Sequence, residues 1–316
     1  MINHLENNKE TILEVKNITK TYSKNGEEFK ALDDVSFSVK KGEFFGIVGE
    51  SGSGKSTLAK QITRLEKPTE GQIILKNKEI TNLKGRELRK IYEDIQMVFQ
   101  DPVGCFDPRM KIGKSIDELL KNNKIPKENR KIKIKELLNL VGLEEKCADK
   151  YPSELSGGQC QRAAIAKALS VDPTILVCDE ITSALDVSIQ GQIISLLNEL
   201  KEKKDITYLF ICHDLALVEL LCDRIIVLNK GIIVEAGLAK EIIGNPMHPY
   251  TKLLVDSIFP IGDIDWKIPD ISIEEGTLLN SGCKFYSRCN LKSDECLKSC
   301  PKLKKINDNH FVACYN

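Results

Sequence analysis

The nine residues from Gly49 to Thr57, GESGSGKST, have the types and the spacing that bind a polyphosphate. They match the pattern G-x-x-x-x-G-K-[ST], whose glycines let backbone N–H groups turn inward around phosphate oxygens. The apolar segment Phe44 to Val48 precedes them, and LAKQITRL follows with helical spacing. This loop therefore leads from a buried strand into the positive end of a helix, and the sequence predicts a nucleotide-binding protein.

Two side chains of this loop have specific predicted tasks. Lys55 is expected to reach the β- and γ-phosphates, and the Ser56 hydroxyl is expected to ligate Mg²⁺. The alternative is a Gly- and Ser-rich turn that contains a lysine by chance, and the flanking strand and helix disfavour it. The other predicted nucleotide-binding residues of the loop are Gly49, Gly52, Ser53, Gly54 and Thr57.

Composition limits the class of protein. The 316 residues are 41% apolar, which allows one large or two medium globular domains. Lys and Arg number 46, as do Asp and Glu, so charge gives no reason to expect nucleic acid as the main partner. The sequence has no signal-peptide pattern and no apolar run of about 20 residues. We therefore expect a cytosolic chain that reaches a membrane only through partners.

Polar side chains follow three predicted core strands. Gln100 ends the second strand after the phosphate loop, and His213 ends a later one. The segment ILVCDE, Ile175 to Glu180, is an apolar strand that ends in two carboxylates. This pattern places Asp179 to bind Mg²⁺ and Glu180 to bind a water molecule.

A second anion-binding helix start is predicted at Ser156, Gly157 and Gly158, within LSGGQ. Small residues at a helix N-terminus leave unpaired N–H groups available to an anion. Taken alone, such a segment is more often an ordinary N-cap with glycines. The surrounding motifs must therefore decide whether this segment binds an anion or is only an N-cap.

The ordered set GESGSGKST, Gln100, LSGGQ, ILVCDE, SALD and His213 resembles the nucleotide-binding subunit of ABC transporters over about residues 12 to 245. The resemblance implies an α/β P-loop NTPase (RecA-like) core. It also implies an N-terminal antiparallel β subdomain and an α-helical signature subdomain at about residues 101–170. In this family, two ATP molecules and Mg²⁺ bind between two head-to-tail domains.

Each ATP would then contact the phosphate loop of one subunit and Ser156, Gly157 and Gly158 of the other. Glu180 matches the family's general base, and His213 matches the residue that positions it. The remaining matches are Tyr22 as the adenine-stacking aromatic, Gln100 and Asp179 at Mg²⁺ and the attacking water, and Asp186 in the loop that faces the opposite site.

Further details resemble the ATPases of oligopeptide and dipeptide importers, particularly the second of their two non-identical subunits. They are QMVFQDP followed by PRM, the signature LSGGQCQR, and HPYTK in a C-terminal extension predicted at 246–316. Two positions depart from the pattern. Ile181 stands where proline is usual after the catalytic glutamate, and Asp107 stands where asparagine is common. The first puts in doubt how the turn at Glu180 is fixed.

The resemblance also implies partners. They are a second ABC ATPase in a heterodimer, two transmembrane permeases near the loop 101–113, and an external substrate-binding protein. The chain would act at the cytoplasmic face of the membrane. The transported solute is not encoded in these motifs, and a nickel or other small-solute importer is an alternative.

The C-terminal tail from about residue 282 contains five of the eleven cysteines. Cys283, Cys289, Cys296 and Cys314 match a set that is associated with a [4Fe–4S] cluster in some peptide-importer ATPases. Four thiolates in a short, loop-rich segment need a soft metal to order them, and zinc or no metal are the alternatives. We expect the tail to lie apart from the phosphate loop, so that cysteine replacements leave nucleotide binding intact.

Two other functions stay open at this point. A soluble ABC protein acting on ribosomes or DNA has tandem nucleotide domains or a long coiled-coil insertion, and this chain has a single set of motifs with about 100 residues between loop and signature. A redox-sensing ATPase switch would make the cysteine tail the functional part.

Overall fold

The computed structural model describes residues 10–24, 26–183, 185–257 and 282–316. The chain divides into two units. Unit 1 consists of Met1–Asn82 and Ile211–Asn316, and unit 2 consists of Leu83–Phe210. Both contain helices and strands, as the predicted α/β class requires. None of the helices in the described ranges is long and apolar enough to cross a membrane.

The first sheet of unit 1 is antiparallel and has the strand order β2-β1-β4-β5. It matches the antiparallel sheet predicted ahead of the phosphate loop, because alternating apolar residues such as Leu13 and Val15 point into one buried face. Val15 pairs with Phe37 on one side and with Ile73 on the other. Its strands are β1 (Thr11–Lys24), β2 (Glu27–Lys40), β4 (Glu70–Leu75) and β5 (Lys78–Glu79).

The second sheet of unit 1 contains the strand that leads into the phosphate loop. In this unit the strand order is β11-β12-β10-β9-β3, with β3 and β9 parallel and Ile47 opposite Ile226. Every residue of β3 and β9 is buried, so these strands form the core of the unit. The strands are β3 (Phe44–Val48), β9 (Arg224–Asn229), β10 (Ile232–Leu238), β11 (Lys304–Asn307) and β12 (His310–Val312).

In the described residues of unit 1 there are five α-helices. The first, α1, starts directly after the glycine loop, and its buried residues include Leu58 and Ile62. The helix that starts within the HPYTK segment begins with Pro249, a residue suited to the first turn. The five helices are α1 (Lys55–Ile62), α7 (Leu215–Leu221), α8 (Ala239–Gly244), α9 (Pro249–Asp256) and α10 (Asp294–Lys298).

Unit 2 combines parallel strands with the helices that hold the signature segment. Strands β6 (Ile95–Val98) and β7 (Ile175–Asp179) are parallel, with Met97 opposite Val177. Strand β8 (Thr207–Cys212) begins in this unit and ends in unit 1. The helices are α2 (Gly85–Asp94), α3 (Ile112–Asn122), α4 (Lys127–Leu140), α5 (Gly157–Leu169) and α6 (Val187–Lys204).

A buried ion pair fixes the start of β3, and therefore the approach to the phosphate loop. Nη1 of Arg224 lies 3.1 Å from Oε1 of Glu43, and both side chains are at most 6% exposed. Burial raises the pKa of Glu43, while Arg224 opposes this shift. The backbone N–H of Phe44 also donates to the Asp223 carboxylate at 2.8 Å. Removing either partner of the ion pair would leave an uncompensated buried charge.

A buried carboxylate joins the C-terminal extension to the second sheet of unit 1. Glu235 on β10 is 0% exposed and accepts hydrogen bonds from the backbone N–H groups of Met247 and His248 at 2.9 and 3.0 Å. Nε2 of His310 on β12 lies 2.5 Å from its Oε1. These three hydrogen-bonding partners compensate the free-energy cost of burying the carboxylate. They also connect β10 with β12 and with the segment at residues 247–248.

His248 gives the extension a predicted sensitivity to pH. Its Nδ1 accepts a hydrogen bond from the Tyr250 N–H at 3.0 Å, which caps α9 and requires the neutral ring. Burial lowers the pKa of His248 to about 4. The unfolded chain, with an ordinary histidine pKa, binds the proton more readily, so the stability due to neutral His248 is complete above about pH 6.5 and is lost as pH falls toward 4.

We therefore expect the parent chain to lose on the order of 1 kcal/mol more unfolding free energy between about pH 7.5 and 5.5 than His248→Asn. Asparagine keeps a capping oxygen and does not titrate. Urea unfolding of both proteins at the two pH values measures this difference. Equal losses in the two proteins would show that His248 does not contribute to the pH dependence.

Candidate nucleotide-binding and hydrolysis site

The backbone of the predicted phosphate loop needs glycine at three positions. Gly49, Gly52 and Gly54 have φ angles of 152, 77 and 107°, a region that other residues rarely adopt. A Cβ on Gly49 would lie 2.2 Å from the Leu228 carbonyl oxygen, and one on Gly54 would lie 2.7 Å from that of Ala31. Gly49 and Gly54 are thus constrained by neighbouring backbone as well as by conformation.

The lysine of the loop lies inside it. Lys55 is 4% exposed, and its Nζ donates to the carbonyl oxygens of Gly49 and Glu50 at 2.8 and 2.9 Å. The Ser53 hydroxyl is buried and has no hydrogen-bond partner within the described residues. A buried ammonium, an unsatisfied hydroxyl and a helix start at one place fit an anionic polyphosphate.

Tyr22 lies beside α1 in unit 1. Its hydroxyl donates to the Glu66 carboxylate and also interacts with Thr57. Burial and the Glu66 contact raise the pKa of Tyr22, so the phenol stays neutral. The Lys20 ammonium lies 5.0 Å from the ring centroid, and the ring of Phe29 lies 5.7 Å away. These contacts fix the ring next to the loop helix, while its predicted stacking on adenine stays a prediction.

The predicted catalytic carboxylates follow β7 in unit 2. Asp179 is the last residue of this buried strand and is 7% exposed. Glu180 follows with a φ of 48°, a left-handed conformation that is uncommon for a residue with a side chain. The Ser183 N–H and hydroxyl both donate to the Glu180 carbonyl oxygen, at 3.1 and 2.9 Å.

These contacts answer the question raised by Ile181, which stands where proline is usual. Its side chain is 2% exposed and anchors the turn in the core of unit 2. The two bonds from Ser183 hold the Glu180 carbonyl, so the turn is fixed without proline. Nε2 of Gln100 also donates to the Ser183 hydroxyl at 3.2 Å, which joins Gln100 to the Glu180 turn. Sequence reasoning gave Ser183 no task of its own.

The signature segment starts α5 in unit 2. The Ser156 hydroxyl accepts from the Gln159 N–H at 3.3 Å, and the Gln159 side chain accepts from the Ser156 N–H at 3.1 Å. This capping box is the ordinary structural role of such a segment. However, Ser156 and Gly157 are exposed, and a Cβ on Gly158 would lie 2.7 Å from Cγ2 of Ile189. The helix start thus remains accessible to a ligand.

The two units each hold a part of the predicted site. Unit 1 contains Tyr22, the phosphate loop and His213, which is exposed after β8. Unit 2 contains the other predicted residues, with Asp186 exposed at the N-terminus of α6. Within unit 2, the structure brings together Gln100 and the Glu180 turn. Their roles toward ATP stay predictions.

The tail cysteines lie within electrostatic range of one another. Cys300, Cys296 and Cys289 act on the Cys283 thiol, and Cys314 acts on Cys289. Burial raises the pKa of Cys283 to about 11 and raises that of Cys289. No group of three or more His, Cys, Asp or Glu side chains in the described parts of the chain is placed to hold a metal ion. The predicted iron–sulfur site is therefore not supported by this geometry.

The expectation that the tail lies apart from the phosphate loop is wrong. The Arg288 guanidinium in the tail donates to both carboxylate oxygens of Glu50, the second residue of the loop, at 2.7 and 2.9 Å. Sequence reasoning missed this pair because 238 residues separate its members and neither has a local signature. The hydrogen bond from the Glu50 N–H to the Tyr250 hydroxyl oxygen at 2.8 Å was also missed.

Two protein families match parts of the chain. Residues 32–183 match the ABC transporter family, and residues 234–296 match the oligopeptide/dipeptide transporter C-terminal region. The chain resembles the ATP-binding cassette MJ0796, solved as a dimer bound to ADP and Pi, with a TM-score of 0.66 and 36% identity over 72% of this chain and 99% of that one. The predicted P-loop NTPase fold is confirmed by this likeness.

Curated relatives match along nearly the whole chain. The oligopeptide transport ATP-binding protein AppF of Bacillus subtilis (strain 168) is 42% identical, over 98% of both chains. The oligopeptide transport ATP-binding protein OppF of Haemophilus influenzae is 40% identical, also over 98% of both. The chain therefore belongs to the ABC transporter family, among the oligopeptide and dipeptide transport ATP-binding proteins.

Proposed function

We propose that this chain binds and hydrolyses ATP to drive the import of oligopeptides or dipeptides through partner permeases. Three features of the chain carry the proposal together. They are a glycine loop around a buried lysine, a glutamate at a strand end whose backbone carbonyl is held by Ser183, and an extension shared with peptide transporters. Relatives named for oligopeptide transport at about 40% identity support the substrate class.

The residues divide the chemistry between them. The backbone N–H groups of the loop and Lys55 would hold the β- and γ-phosphates, and Lys55 would exchange its two carbonyl partners for phosphate oxygens. Glu180 would accept a proton from the water whose oxygen bonds to the γ-phosphorus as the bond to ADP breaks. His213 would orient Glu180, and Ser183 would keep Gln100 beside the same turn.

Mg²⁺ would be held by Ser56, Asp179 and Gln100, together with phosphate oxygens. The ion supplies neutralisation of the charge that develops on the phosphates. Hydroxyl, carboxylate and amide oxygens are the hard ligands that Mg²⁺ prefers. Tyr22, already fixed by Glu66, would provide the face for adenine.

The exposed signature helix supports a head-to-tail pair of ATPases. Ser156, Gly157 and Gly158 would bind the γ-phosphate on a partner subunit, and Asp186 would face the opposite site. The partner is proposed to be a second, non-identical ATPase, so that the pair is a heterodimer. Within the pair, neither subunit alone would contain a complete site.

The loop 101–113 of unit 2 is the proposed contact with the permeases. Val103 is 46% exposed, and Phe99 just before the loop is 38% exposed, which leaves apolar surface for a partner. Lys167 holds the other side of the loop by donating to the Cys105 carbonyl oxygen at 2.6 Å. Two permeases and an external binding protein would complete the importer, with this chain peripheral at the cytoplasmic face of the membrane.

The domain boundaries remain part of the proposal. An ABC ATPase domain would span 12–245, with its helical subdomain at about 101–170. The peptide-importer extension would span 246–316. Matches at 32–183 and 234–296 support this order of domains.

Transport itself tests the function. Cells that lack this chain should lose uptake of labelled di- and oligopeptides and regain it with the parent gene, but not with Glu180→Gln. Purified importer in vesicles should hydrolyse ATP faster when its binding protein carries a peptide. Stimulation by nickel and not by peptides would replace the peptide assignment with the small-solute alternative.

The proposal extends to a metal site at Cys283, Cys289, Cys296 and Cys314. What supports it is the clustering of five of the eleven cysteines in the tail. Burial, and then the neighbouring thiols, raise the pKa values of Cys283 and Cys289, and a bound cation would favour their thiolate forms. Chain purified without oxygen is expected to contain about four iron and four sulfide, lost in Cys289→Ser and retained in Cys300→Ser. One zinc per chain would select the zinc alternative, and metal-free protein would reject both.

A further inference from the structure

Glu50 is held from outside the phosphate loop by the C-terminal extension. The Tyr250 hydroxyl oxygen accepts from the Glu50 N–H at 2.8 Å, and Arg288 donates to both carboxylate oxygens. On the inner side, the Glu50 carbonyl oxygen accepts from Nζ of Lys55 at 2.9 Å and from the Ser53 N–H at 3.2 Å. The extension therefore occupies the backbone N–H and the carboxylate of Glu50, and the loop occupies its carbonyl oxygen.

The residues on the outer side are themselves fixed. The Phe285 ring is 4% exposed and packs edge-on against Tyr250, with centroids 5.4 Å apart. The Arg288 guanidinium lies over the same ring at 5.5 Å from its centroid. His248 completes this aromatic cluster at 5.9 Å from Phe285. Buried aromatic packing of this kind holds a hydrogen-bonding group at a defined position.

Nucleotide binding would change the contacts of the Glu50 carbonyl oxygen. In the proposed function Lys55 turns to the phosphates, so this oxygen would lose its bond to the ammonium. The bonds from Tyr250 and Arg288 do not involve the ammonium, and they can keep Glu50 in place during this exchange. A loop that is held in its binding conformation loses less entropy when the ligand binds.

We infer that Arg288 and Tyr250 are positioning residues for the phosphate loop, which they hold open for ATP through Glu50. The inference rests on the proposed assignment of residues 49–57 as the phosphate loop. Exposed ion pairs contribute little in general, but this one is bidentate, with side-chain exposures of 24% for Arg288 and 38% for Glu50. The extension would thus contribute to ATP affinity without touching ATP.

Binding of a fluorescent ATP analogue to the full-length chain tests the inference. Arg288→Met and Tyr250→Phe should each weaken binding by about three- to ten-fold, and Arg288→Lys should recover part of the loss. Lys298→Met removes an exposed charge from the same tail segment and should bind like the parent. In the assembled importer at saturating ATP, turnover of each variant should stay within about two-fold of the parent, because Arg288 and Tyr250 take no part in the chemical step.

A double-mutant comparison separates positioning through Glu50 from general destabilisation. Glu50→Gln combined with Arg288→Met should bind ATP no more weakly than the worse single variant, because both remove one contact. Additive losses would overturn the inference. Parent-like ATP binding in Arg288→Met and Tyr250→Phe would also overturn it. A lower turnover and a lower unfolding temperature in Arg288→Met, neither of them restored in Arg288→Lys, would overturn it as well.

The Lys55→Ala variant tests the assignment of the phosphate loop independently of the positioning role of Arg288 and Tyr250. If Lys55→Ala loses ATP binding while Arg288→Met and Tyr250→Phe do not, the loop is correctly assigned and only the positioning role is wrong. If Lys55→Ala binds ATP like the parent, the loop assignment itself is wrong. If Arg288→Met fails to fold, Tyr250→Phe decides the question, since it keeps the ring that packs on Phe285.

Discussion

Glu180→Gln is expected to lower ATP turnover by about 100-fold or more, the range of a general base, while ATP affinity stays near that of the parent. The amide has the shape of the carboxylate and lacks the basic oxygen that accepts the proton of water. Its backbone should not move, because Ser183 holds the carbonyl oxygen of residue 180 rather than its side chain. The loss should therefore appear in kcat and not in binding.

Phosphate release and nucleotide binding, measured on the same preparation, check this prediction. Glu202→Gln is the matched control, since it makes the same change at an exposed position of α6 in the same unit. Turnover of Glu180→Gln within a few-fold of the parent would remove Glu180 from the role of base. Loss of ATP binding would show that the residue supports the fold of the site instead.

Lys55→Ala is expected to weaken ATP binding itself by about 100-fold, which corresponds to about 2.7 kcal/mol and to the loss of charge-assisted hydrogen bonds to phosphate. In the structure, the ammonium joins the carbonyl oxygens of Gly49 and Glu50 across the loop. Alanine would remove the positive charge and also this internal tie. Both effects act on affinity.

Titration with ATP and Mg²⁺, followed by fluorescence or calorimetry, measures the loss. Lys60→Ala on the same helix is the control, because the Lys60 side chain is 46% exposed and forms a surface ion pair with Glu66. Equal binding by the Lys55 and Lys60 variants would contradict the phosphate-loop assignment. If both variants lose ATP binding severely and equally, the loss would be due to disruption of α1 and not to the missing Lys55 ammonium.

Local patterns explain why much of the fold could be predicted. The strand before the phosphate loop, the helix after it and the strand that ends at Asp179 follow from hydrophobic spacing over a few residues. The phosphate loop follows from glycine positions, which correspond to the observed positive φ angles at Gly49, Gly52 and Gly54. These features need no distant part of the chain to be recognised.

The contacts that could not be predicted from the sequence join residues that are far apart in the chain. The contact of Glu50 with Arg288 and that of Glu235 with His310 join residues 238 and 75 positions apart. Single ionisable residues have no sequence pattern that identifies their partners. The same holds for Ser183, whose bonds to the Glu180 turn depend on backbone geometry.

The place of β12 in the second sheet has a consequence for protein synthesis. Its Val312 pairs with Glu235 of β10, and its His310 lies against the buried Glu235 carboxylate, although Glu235 is synthesised 75 residues before His310. Until β12 emerges, β10 has an open edge and Glu235 lacks one of its three partners. Such edges favour mispairing between chains. The growing chain therefore passes through a stage in which β10 can mispair, and the docking of β12 ends that stage.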